Sequence, residues 1–216
     1  MTSQRSPNTH PESRVLVPVK DFRQAKGRLS EALNREQRAE LAQALAARVI
    51  AAAMPLGVSV ICDDINVANW AESLAAEVLW CPGTGLNGAV AEGVAIMRRR
   101  EIDRVVVSHA DLPAALDFTD LATGPGVIVV TDRRGDGTNV ISLPTQPTFS
   151  FAYGPGSRAR HVSEAQRLGL GIQVRSDARL SWDVDNPEDL RVPTTWSSDP
   201  SIGRIPHLRP NAGPLA

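Results

Sequence analysis

Short, almost continuous apolar runs alternate along the chain with segments that repeat apolar residues at helical spacing. The first run, RVLVPV over 14–19, is typical of a strand buried on both faces of a sheet. Asn34 caps the next helix, with Gln37 in capping-box position, and Leu41 and Leu45 continue its apolar stripe. The predicted strands are 14–19, 57–62, 76–80, 104–109, 126–132, 138–143 and 172–177, a further apolar run covers 148–153, and the predicted helices begin near residues 34, 65, 87 and 157.

This alternation determines the predicted fold class. Strands separated by helices imply crossover connections, which place helices on both faces of a mostly parallel sheet. The run 138–143 follows 126–132 too closely for a crossover helix, so at least one antiparallel strand is expected. The predicted class is therefore α/β, with a three-layer, Rossmann-like mixed sheet.

Both ends of the 216-residue chain are rich in Pro, Ser, Thr, Asn and Gly and carry no apolar periodicity. Segments of this composition bury too little apolar surface to stay ordered, so residues 1–13 and 193–216 are predicted to be disordered tails. Residues 14–192 are predicted to form a single domain, which is large enough to build a core without disulfides or a structural metal.

Charge and apolar content narrow the function classes. A formal net charge of -1 excludes a broad electrostatic attraction to nucleic acid or to an anionic membrane. Two cysteines cannot form a disulfide framework, the polar N-terminus lacks the apolar core of a signal peptide, and no apolar run approaches the roughly 20 residues of a membrane span. A cytoplasmic protein that binds neither nucleic acid nor membrane is expected.

The distribution of lysine is unusual. Only two of the 23 Lys and Arg residues are lysines, and both, Lys20 and Lys26, follow the first predicted strand, with Arg28 close behind. An ammonium group is a compact point charge on a flexible stem and suits phosphate oxygens, and Gly27 leaves an amide accessible between two cations. The segment therefore predicts a polyphosphate site, although it lacks the order of a Walker A motif. The alternative is a solvated connector.

A second candidate segment is GTGLNG, which follows the third predicted strand. In open α/β sheets, ligands bind beyond the carboxyl ends of the strands. Gly85 permits close backbone approach to a flat ring, and Asn87 offers a donor and an acceptor to a base edge, so both are predicted to bind the nucleotide. Asn87 is also placed to cap the helix that follows, and the two roles are compatible.

Three carboxylates are candidates for a magnesium site. Asp111 follows the fourth strand, and Asp183 and Asp185 have the spacing that places two side chains on one face of an extended segment. Mg²⁺ takes oxygen ligands and bridges phosphate oxygens. The alternative for Asp185 is an N-cap of the short helix at Pro187, whereas Asp111 has no evident capping role.

A third cluster combines hydroxyls with glycine-rich turns. Thr138 and Ser157 supply the hydroxyls, Gly154 leaves its amide accessible, and Ser157 as an N-cap would begin a helix whose positive end attracts an anion. The pattern predicts a pocket for a second, small anionic substrate, and the alternative is an ordinary loop before a capped helix. His109 and His161 stand beside no plausible nucleophile, so no catalytic triad is expected.

Six segments of the chain, taken together and in order, resemble the guanylyltransferases of coenzyme F-420 biosynthesis, the CofC and FbiD family. The likeness covers roughly residues 14–191. The segments are VPVKDFRQAKGRL, GLNGAV, HADLP, DRRGDGTNV, FAYGPGSRARH and WDVDNPEDL.

The resemblance implies a nucleotide-diphospho-sugar-transferase-like fold and a reaction that condenses GTP with a small phosphorylated carboxylic acid and releases pyrophosphate. In actinobacterial members the acid is phosphoenolpyruvate, which gives enolpyruvoyl-2-diphospho-5'-guanosine; relatives are described with 2-phospho-L-lactate or 3-phospho-D-glycerate. The residues that it assigns are Lys20, Lys26 and Arg28 to the triphosphate, Thr138, Gly154 and Ser157 to phosphoenolpyruvate, and Asp111, Asp183 and Asp185 to two Mg²⁺ ions. Lys20, Lys26, Arg28 and Asp111 are the expected catalytic groups.

Two other functions are compatible with the same residues. A sugar or molybdopterin nucleotidylyltransferase would use the same fold, because a fold does not determine the substrate. A nucleotide-binding module without catalysis is the second, and the three aspartates argue against it because binding alone seldom needs a metal cluster. A homodimer is compatible with the sequence, which does not indicate one.

Overall fold

The computed structural model describes residues 12–196 and 198–211. The predicted N-terminal tail lies outside the described residues except at Glu12 and Ser13, and Ser13 begins the first strand. The strands are β1 Ser13–Pro18, β2 Val58–Cys62, β3 Glu77–Trp80, β4 Arg104–Ser108, β5 Val127–Thr131, β6 Thr138–Pro144, β7 Ile172–Arg175, β8 Arg191–Val192 and β9 Arg209–Pro210. The α-helices are α1 Arg35–Ala53, α2 Ile65–Ser73, α3 Gly85–Arg99 and α4 Ser157–Arg167, and 3-10 helices cover Phe22–Gln24, Gly27–Leu29, Met54–Leu56, Pro187–Leu190 and Thr194–Trp196.

The main sheet is mixed, with the strand order β3-β2-β1-β4-β6-β5-β7. Strand β6 runs antiparallel to β4 and β5, and the other pairings of this sheet are parallel. The antiparallel strand is the one predicted from the short connection after β5, because six residues cannot form a crossover helix. The mixed sheet is therefore confirmed.

Side chains alternate between two apolar cores along the buried strands. Val15 and Val17 of β1 pack with α1 and α2, whereas Leu16 packs with α3. Helices therefore cover both faces of the sheet, which explains why the strands are almost continuous apolar runs in the sequence. The predicted three-layer α/β class is confirmed.

Helices α1, α2 and α4 begin at or next to the predicted residues, whereas α3 begins earlier, and the caps predicted for α3 and α4 are wrong. Asn34 and Gln37 form the predicted capping box. Helix α3 begins two residues before Asn87, so Asn87 lies inside its first turn and the capping role expected for it is wrong. Gly156, at φ 72°, occupies the N-cap position of α4, and Ser157 is the first helical residue rather than the cap. A left-handed φ favours glycine at that position.

The helical stretch Arg35–Leu56 is long and apolar enough to cross a membrane by length and composition alone. A core helix passes the same test, and Leu41, Leu45 and Val49 of this stretch are each 0 % exposed inside the domain. The packing of these side chains therefore assigns the stretch to the core of the fold.

The chain after residue 192 packs on the domain. Strand β8 pairs with β9, and the ring of Trp196 meets that of Trp182 edge-on with centroids 5.3 Å apart. Ile202 and Ile205 are 2 % and 5 % exposed. The disordered tail predicted over 193–216 is wrong for the described residues up to 211, because single apolar side chains anchor a segment that has no periodicity; residues 197 and 212–216 lie outside the described part.

This packing makes a testable prediction. Ile202→Ala should lower the free energy of unfolding by about 2–4 kcal/mol, since it leaves a cavity under the C-terminal segment. Ile65→Ala is the matched control, because the Ile65 side chain in α2 is 60 % exposed and its loss should cost less than about 0.5 kcal/mol. Urea unfolding followed by circular dichroism compares the two, and equal midpoints would mean that the segment is not packed in solution.

Candidate active site

An open cavity of about 680 Å³ lies beyond the carboxyl ends of β1, β2 and β4, where ligands bind in open α/β sheets. Residues that directly follow these strands, among them Lys20, Asp63 and Asp111, line it. Seven of the residues predicted from the sequence line this cavity: Lys20, Lys26, Arg28, Gly85, Asp111, Gly154 and Asp185. Four predicted residues lie outside the lining: Asn87, Thr138, Ser157 and Asp183. Most of the predicted polyphosphate and metal residues therefore share one cavity.

The ammonium group of Lys26 joins carboxylates from two distant parts of the chain. Its Nζ lies 2.5 Å from Asp111 Oδ2 and 3.4 Å from Asp185 Oδ1, and Arg28 Nη1 donates to Asp185 Oδ2 at 3.2 Å. Burial opposes the charged form of Lys26, whose side chain is 9 % exposed, but the two carboxylates outweigh burial and raise its pKa above the ordinary value. Burial likewise opposes the charge of Asp111, and Lys26 and His109 together lower the pKa of that carboxyl.

The backbone of Lys26 is in the left-handed region, with φ 56° and ψ 36°. This conformation costs a non-glycine residue roughly 1–3 kcal/mol and persists only where neighbouring contacts enforce it. The contacts here are the bond to Asp111 on one side and, on the other, Leu29, which is fully buried against Leu41 and Leu45. The strained turn directs the Lys26 side chain into the cavity.

Asp183 and Asp185 share one face of an extended segment, as the sequence predicted. Val184 between them is 0 % exposed and points into the core, while Asp183 Oδ1 accepts a 3.3 Å hydrogen bond from Asn139 Nδ2. Burial and the nearby charges of Asp111 and Asp185 raise the pKa of Asp183 to about 6. Three carboxylates thus converge.

The N-cap alternative for Asp185 is wrong, because Asn186 occupies that position of the Pro187–Leu190 helix. The Asp189 carboxylate instead accepts hydrogen bonds from the Asp185 and Asn186 amides at 2.9 and 2.7 Å. Arg133 pairs with Asp189 and lies over the Trp182 ring, 3.7 Å from its centroid. The Asp185 carboxylate therefore stays available to the cavity.

The chemistry of these carboxylates fits a hard divalent cation. Asp111 Oδ1 is buried and has no hydrogen-bond partner among the described residues, and His109 Nδ1, 4.0 Å away, is too distant to donate to it. Within residues 12–196 and 198–211, no group of three His, Cys, Asp or Glu side chains has metal-binding geometry as it stands. Lys26 Nζ supplies the countercharge between Asp111 and Asp185 in this arrangement.

The apolar run 148–153 lies outside the sheet, although its aromatic side chains alternate as in a strand. Its amides donate to helix side chains: Ala152 N to His161 Nε2 at 3.0 Å and Tyr153 N to Asn87 Oδ1 at 2.7 Å. The run leads directly into Gly154, with φ 108°, which reaches the cavity. Side chains of α3 and α4 therefore position the glycine-rich turn.

Asn87 has a different role from the one predicted. Because its Oδ1 accepts from the Tyr153 amide, the acceptor half of the expected base contact is used inside the protein. Gly85, at φ 62°, does line the cavity. The partner of Asn87 lies 66 residues away, so no local signal in the sequence indicated this bond.

Thr138 and Ser157 are buried, with 1 % and 2 % exposure. Both are related to His161, Thr138 by a hydrogen bond and Ser157 by its position on the same helix. Thr138 Oγ1 is 3.0 Å from His161 Nδ1, and Ser157 precedes His161 by four residues on the buried face of α4. The sequence assigned His161 no role, because no plausible nucleophile stands beside it for a catalytic triad. The four-residue spacing from Ser157 was a signal that could have included it in the cluster.

The sequence model of the family described as "Guanylyl transferase CofC like" matches residues 13–193. The chain belongs to this family. It is 36% identical to the phosphoenolpyruvate guanylyltransferase of Thermomonospora curvata, covering 92% of each chain, and 34% identical to that of Rubrobacter xylanophilus, covering 82% of this chain and 90% of the relative. Family membership makes the protein a nucleotidyltransferase, as predicted.

Solved structures support the fold. A nucleotide-diphospho-sugar transferase from Desulfovibrio desulfuricans superposes with a TM-score of 0.70 at 17% identity, covering 92% of this chain and 93% of the other. A 4-diphosphocytidyl-2C-methyl-D-erythritol synthase from Anaerococcus prevotii gives 0.53 at 10% identity, covering 82% and 94%. These neighbours confirm the predicted nucleotide-diphospho-sugar-transferase-like fold.

The buried ion pair makes the second prediction. Lys26→Met should destabilise the metal-free protein by roughly 3 kcal/mol, because it leaves the buried Asp111 carboxylate without its cation. Lys20→Met is the matched control, since Lys20 lines the same cavity and is exposed. Thermal unfolding in EDTA at pH 7.5 is the measurement. Equal melting temperatures for the two variants would contradict a stabilising role for the Lys26 pair.

Proposed function

We propose that the protein transfers the guanylyl group of GTP to phosphoenolpyruvate. A phosphate oxygen of phosphoenolpyruvate attacks the α-phosphorus of GTP, the bond from that phosphorus to the oxygen bridging the β-phosphate breaks, and pyrophosphate leaves with the bridging oxygen. The products are enolpyruvoyl-2-diphospho-5'-guanosine and pyrophosphate. We further propose a place for this reaction in coenzyme F-420 biosynthesis, on the strength of the family resemblance.

The observation that carries the proposal is the charge cluster in the cavity. Lys26, held between Asp111 and Asp185, lies with Arg28 and Lys20 where the strand ends open to solvent. Cations in this position neutralise the charge that develops on a departing pyrophosphate. The relatives named phosphoenolpyruvate guanylyltransferase support the choice of substrates.

The acceptor needs little proton transfer, because its phosphate is already ionised at neutral pH and is itself the nucleophile. Gly154 in the cavity wall, with Thr138 and Ser157 nearby, would hold this acid against the nucleotide. Catalysis would then depend on positioning the two substrates and on charge neutralisation rather than on a general base. The histidine beside Thr138 agrees with this chemistry, because burial and the charges of Arg160 and His109 lower the pKa of His161 to about 4 and make its imidazole a weak base.

Asp111, Asp183 and Asp185 would hold Mg²⁺, which when bound would neutralise the phosphate oxygens of the nucleotide. The unpartnered Asp111 Oδ1 supports this assignment, and so does Asp183, whose pKa is raised by burial and by the nearby charges of Asp111 and Asp185. The cations of Lys20, Lys26 and Arg28 would then contact the triphosphate.

Other acceptors remain alternatives within the same reaction, namely 2-phospho-L-lactate and 3-phospho-D-glycerate. A sugar or molybdopterin nucleotidylyltransferase is a weaker alternative, because the relatives that match most of this chain are named guanylyltransferases of phosphoenolpyruvate. A cytoplasmic location and a homodimer are further expectations. Family membership in an enzyme class argues against a module that binds nucleotide without catalysis.

Pyrophosphate release tests the proposal. With Mg²⁺ and GTP, phosphoenolpyruvate should give release that ATP and CTP do not support and that EDTA abolishes. Asp111→Asn should lower kcat about 100-fold or more with an unchanged circular-dichroism spectrum, because it removes charge from the reaction centre. Asp120→Asn is the control, since the Asp120 side chain is 71% exposed and pairs with Arg175 outside the cavity lining.

The comparison of acids decides between the alternatives. Release with 2-phospho-L-lactate or 3-phospho-D-glycerate but not with phosphoenolpyruvate would change the acceptor and keep the reaction class. Silence of the folded protein with all three acids would contradict the proposal and favour the sugar-nucleotidyl alternative. Near-normal turnover of Asp111→Asn would contradict the role given to that carboxylate.

A further inference from the structure

His161 in α4 is fully buried, with 0 % exposure, between Thr138 and the turn that leads to Gly154. The rings of Phe149, Phe151 and Tyr153 surround its imidazole, with centroids 5.9, 6.2 and 4.9 Å away. A histidine in such surroundings must satisfy both ring nitrogens within the protein. The two partners that it uses determine which nitrogen carries the proton.

The first partner is a backbone amide. Ala152 N lies 3.0 Å from His161 Nε2, and an amide can only donate, so Nε2 must be the unprotonated nitrogen. A neutral imidazole then carries its single proton on Nδ1. Burial, together with the charges of Arg160 and His109, lowers the pKa of His161 to about 4, in agreement with a neutral ring at physiological pH.

The second partner is the hydroxyl of Thr138. His161 Nδ1 lies 3.0 Å from Thr138 Oγ1, and because Nδ1 carries the proton, the hydroxyl oxygen is the acceptor of this bond. The Thr138 hydroxyl proton is then free to be donated elsewhere. Within the described residues, the hydrogen bond of Thr138 Oγ1 is the one with His161 Nδ1.

The position of Thr138 indicates where that proton can go. The next residue, Asn139, donates to Asp183 Oδ1 at 3.3 Å and its carbonyl accepts from the His109 amide at 2.9 Å. Both contacts place the start of β6 beside the carboxylate cluster and the cavity wall at His109. Thr138 itself contacts His161, whose Nε2 accepts from the Ala152 amide two residues before Gly154, so the Thr138 hydroxyl lies beside the turn that reaches the cavity.

We propose that His161 is a positioning residue that fixes the Thr138 hydroxyl as a hydrogen-bond donor to the anionic acceptor. Through Nε2 the same imidazole holds the Ala152 amide and with it the turn at Gly154, so one side chain sets both walls of the acceptor pocket. The inference rests on the proposed function, because it gives Thr138 an anionic acid as its partner. His161 itself touches neither substrate nor nucleotide and transfers no proton.

Two near-isosteric substitutions separate the functions of the two ring nitrogens. His161→Asn can place an amide nitrogen where Nδ1 stands and keeps the donor to Thr138, whereas His161→Gln can place a carbonyl oxygen where Nε2 stands and keeps only the acceptor for Ala152. Steady-state kinetics of pyrophosphate release would give the KM of each substrate. KM values have the further advantage that they do not depend on the fraction of folded enzyme.

We expect His161→Gln to raise the KM of phosphoenolpyruvate about tenfold while the KM of GTP changes less than about twofold, because one oriented hydrogen bond to an anion is lost. His161→Asn should also raise the KM of phosphoenolpyruvate, because it loses the acceptor for the Ala152 amide and releases the turn at Gly154. Thr138→Val should raise the KM of phosphoenolpyruvate at least as much as His161→Gln. Adding His161→Gln to Thr138→Val should change it less than about twofold further, since His161 acts through that hydroxyl.

Several outcomes would overturn the proposal. A parallel rise in the KM of phosphoenolpyruvate and of GTP, an unchanged phosphoenolpyruvate KM in His161→Gln, or full additivity of the double variant would each make His161 a core residue only. If the His161 variants do not fold, long-range ¹H–¹⁵N correlation spectra of the wild-type protein decide: a protonated Nδ1 supports the proposal and a protonated Nε2 contradicts it.

The kinetic design also separates this proposal from the reaction on which it rests. A wild-type enzyme that uses another of the three acids provides the KM for the same comparison. An active wild type whose acceptor KM is insensitive to His161→Gln contradicts the positioning role alone. A folded wild type that is silent with all three acids contradicts both the proposed function and the role of His161.

Discussion

The contact between Lys26 and Asp111 is the interaction on which the arrangement of the site depends. It joins the loop after β1 to the end of β4, and the further bond to Asp185 brings in a segment 159 residues away along the chain. Burial, and after it the nearby charges of Asp111 and Asp185, raise the pKa of Asp183, so bringing these carboxylates together inside the protein costs free energy. A cation among them lets the three strand-end segments converge before any ligand arrives.

The ammonium group belongs to Lys26, whose backbone has a strained, left-handed conformation. Lys26 keeps a left-handed backbone because Leu29 anchors the turn in the core on one side and Asp111 holds the ammonium group on the other. Strain that packing enforces gives a pre-organised group, so substrates do not have to order this loop when they bind. The glycine-rich turn at Gly154 is held by comparable means, through side chains of α3 and α4 rather than through the sheet.

The strands of the main sheet were predictable because strands buried on both faces are almost continuous apolar runs. The antiparallel direction of β6 was predictable because the connection after β5 is too short for a crossover helix. The carboxylate face was predictable too, since Asp183 and Asp185 alternate with a core residue. What the sequence could not indicate were contacts between residues far apart in the chain. The sequence position of Asn87 is that of a helix cap, but its Oδ1 accepts a hydrogen bond from the Tyr153 amide. The run 148–153 alternates like a strand, but its amides donate to side chains of helices instead of to a neighbouring strand. Trp196 and Ile202 likewise anchor a segment whose composition resembles a tail.

The fold alone does not identify the acceptor, because one structural neighbour is described as a nucleotide-diphospho-sugar transferase and another as a 4-diphosphocytidyl-2C-methyl-D-erythritol synthase. The nucleotide end of the cavity, with its lysines and carboxylates, suits any nucleotidyl transfer that releases pyrophosphate. The proposed distinguishing chemistry lies at the other end, where Gly154 lines the cavity and the buried hydroxyls of Thr138 and Ser157 lie close to its turn. Such a lining suits a small anion better than a sugar, which needs acceptors as well as donors. In the proposed function, substrate choice depends on the hydrogen bonds that fix these donors, and His161 takes part in two of them.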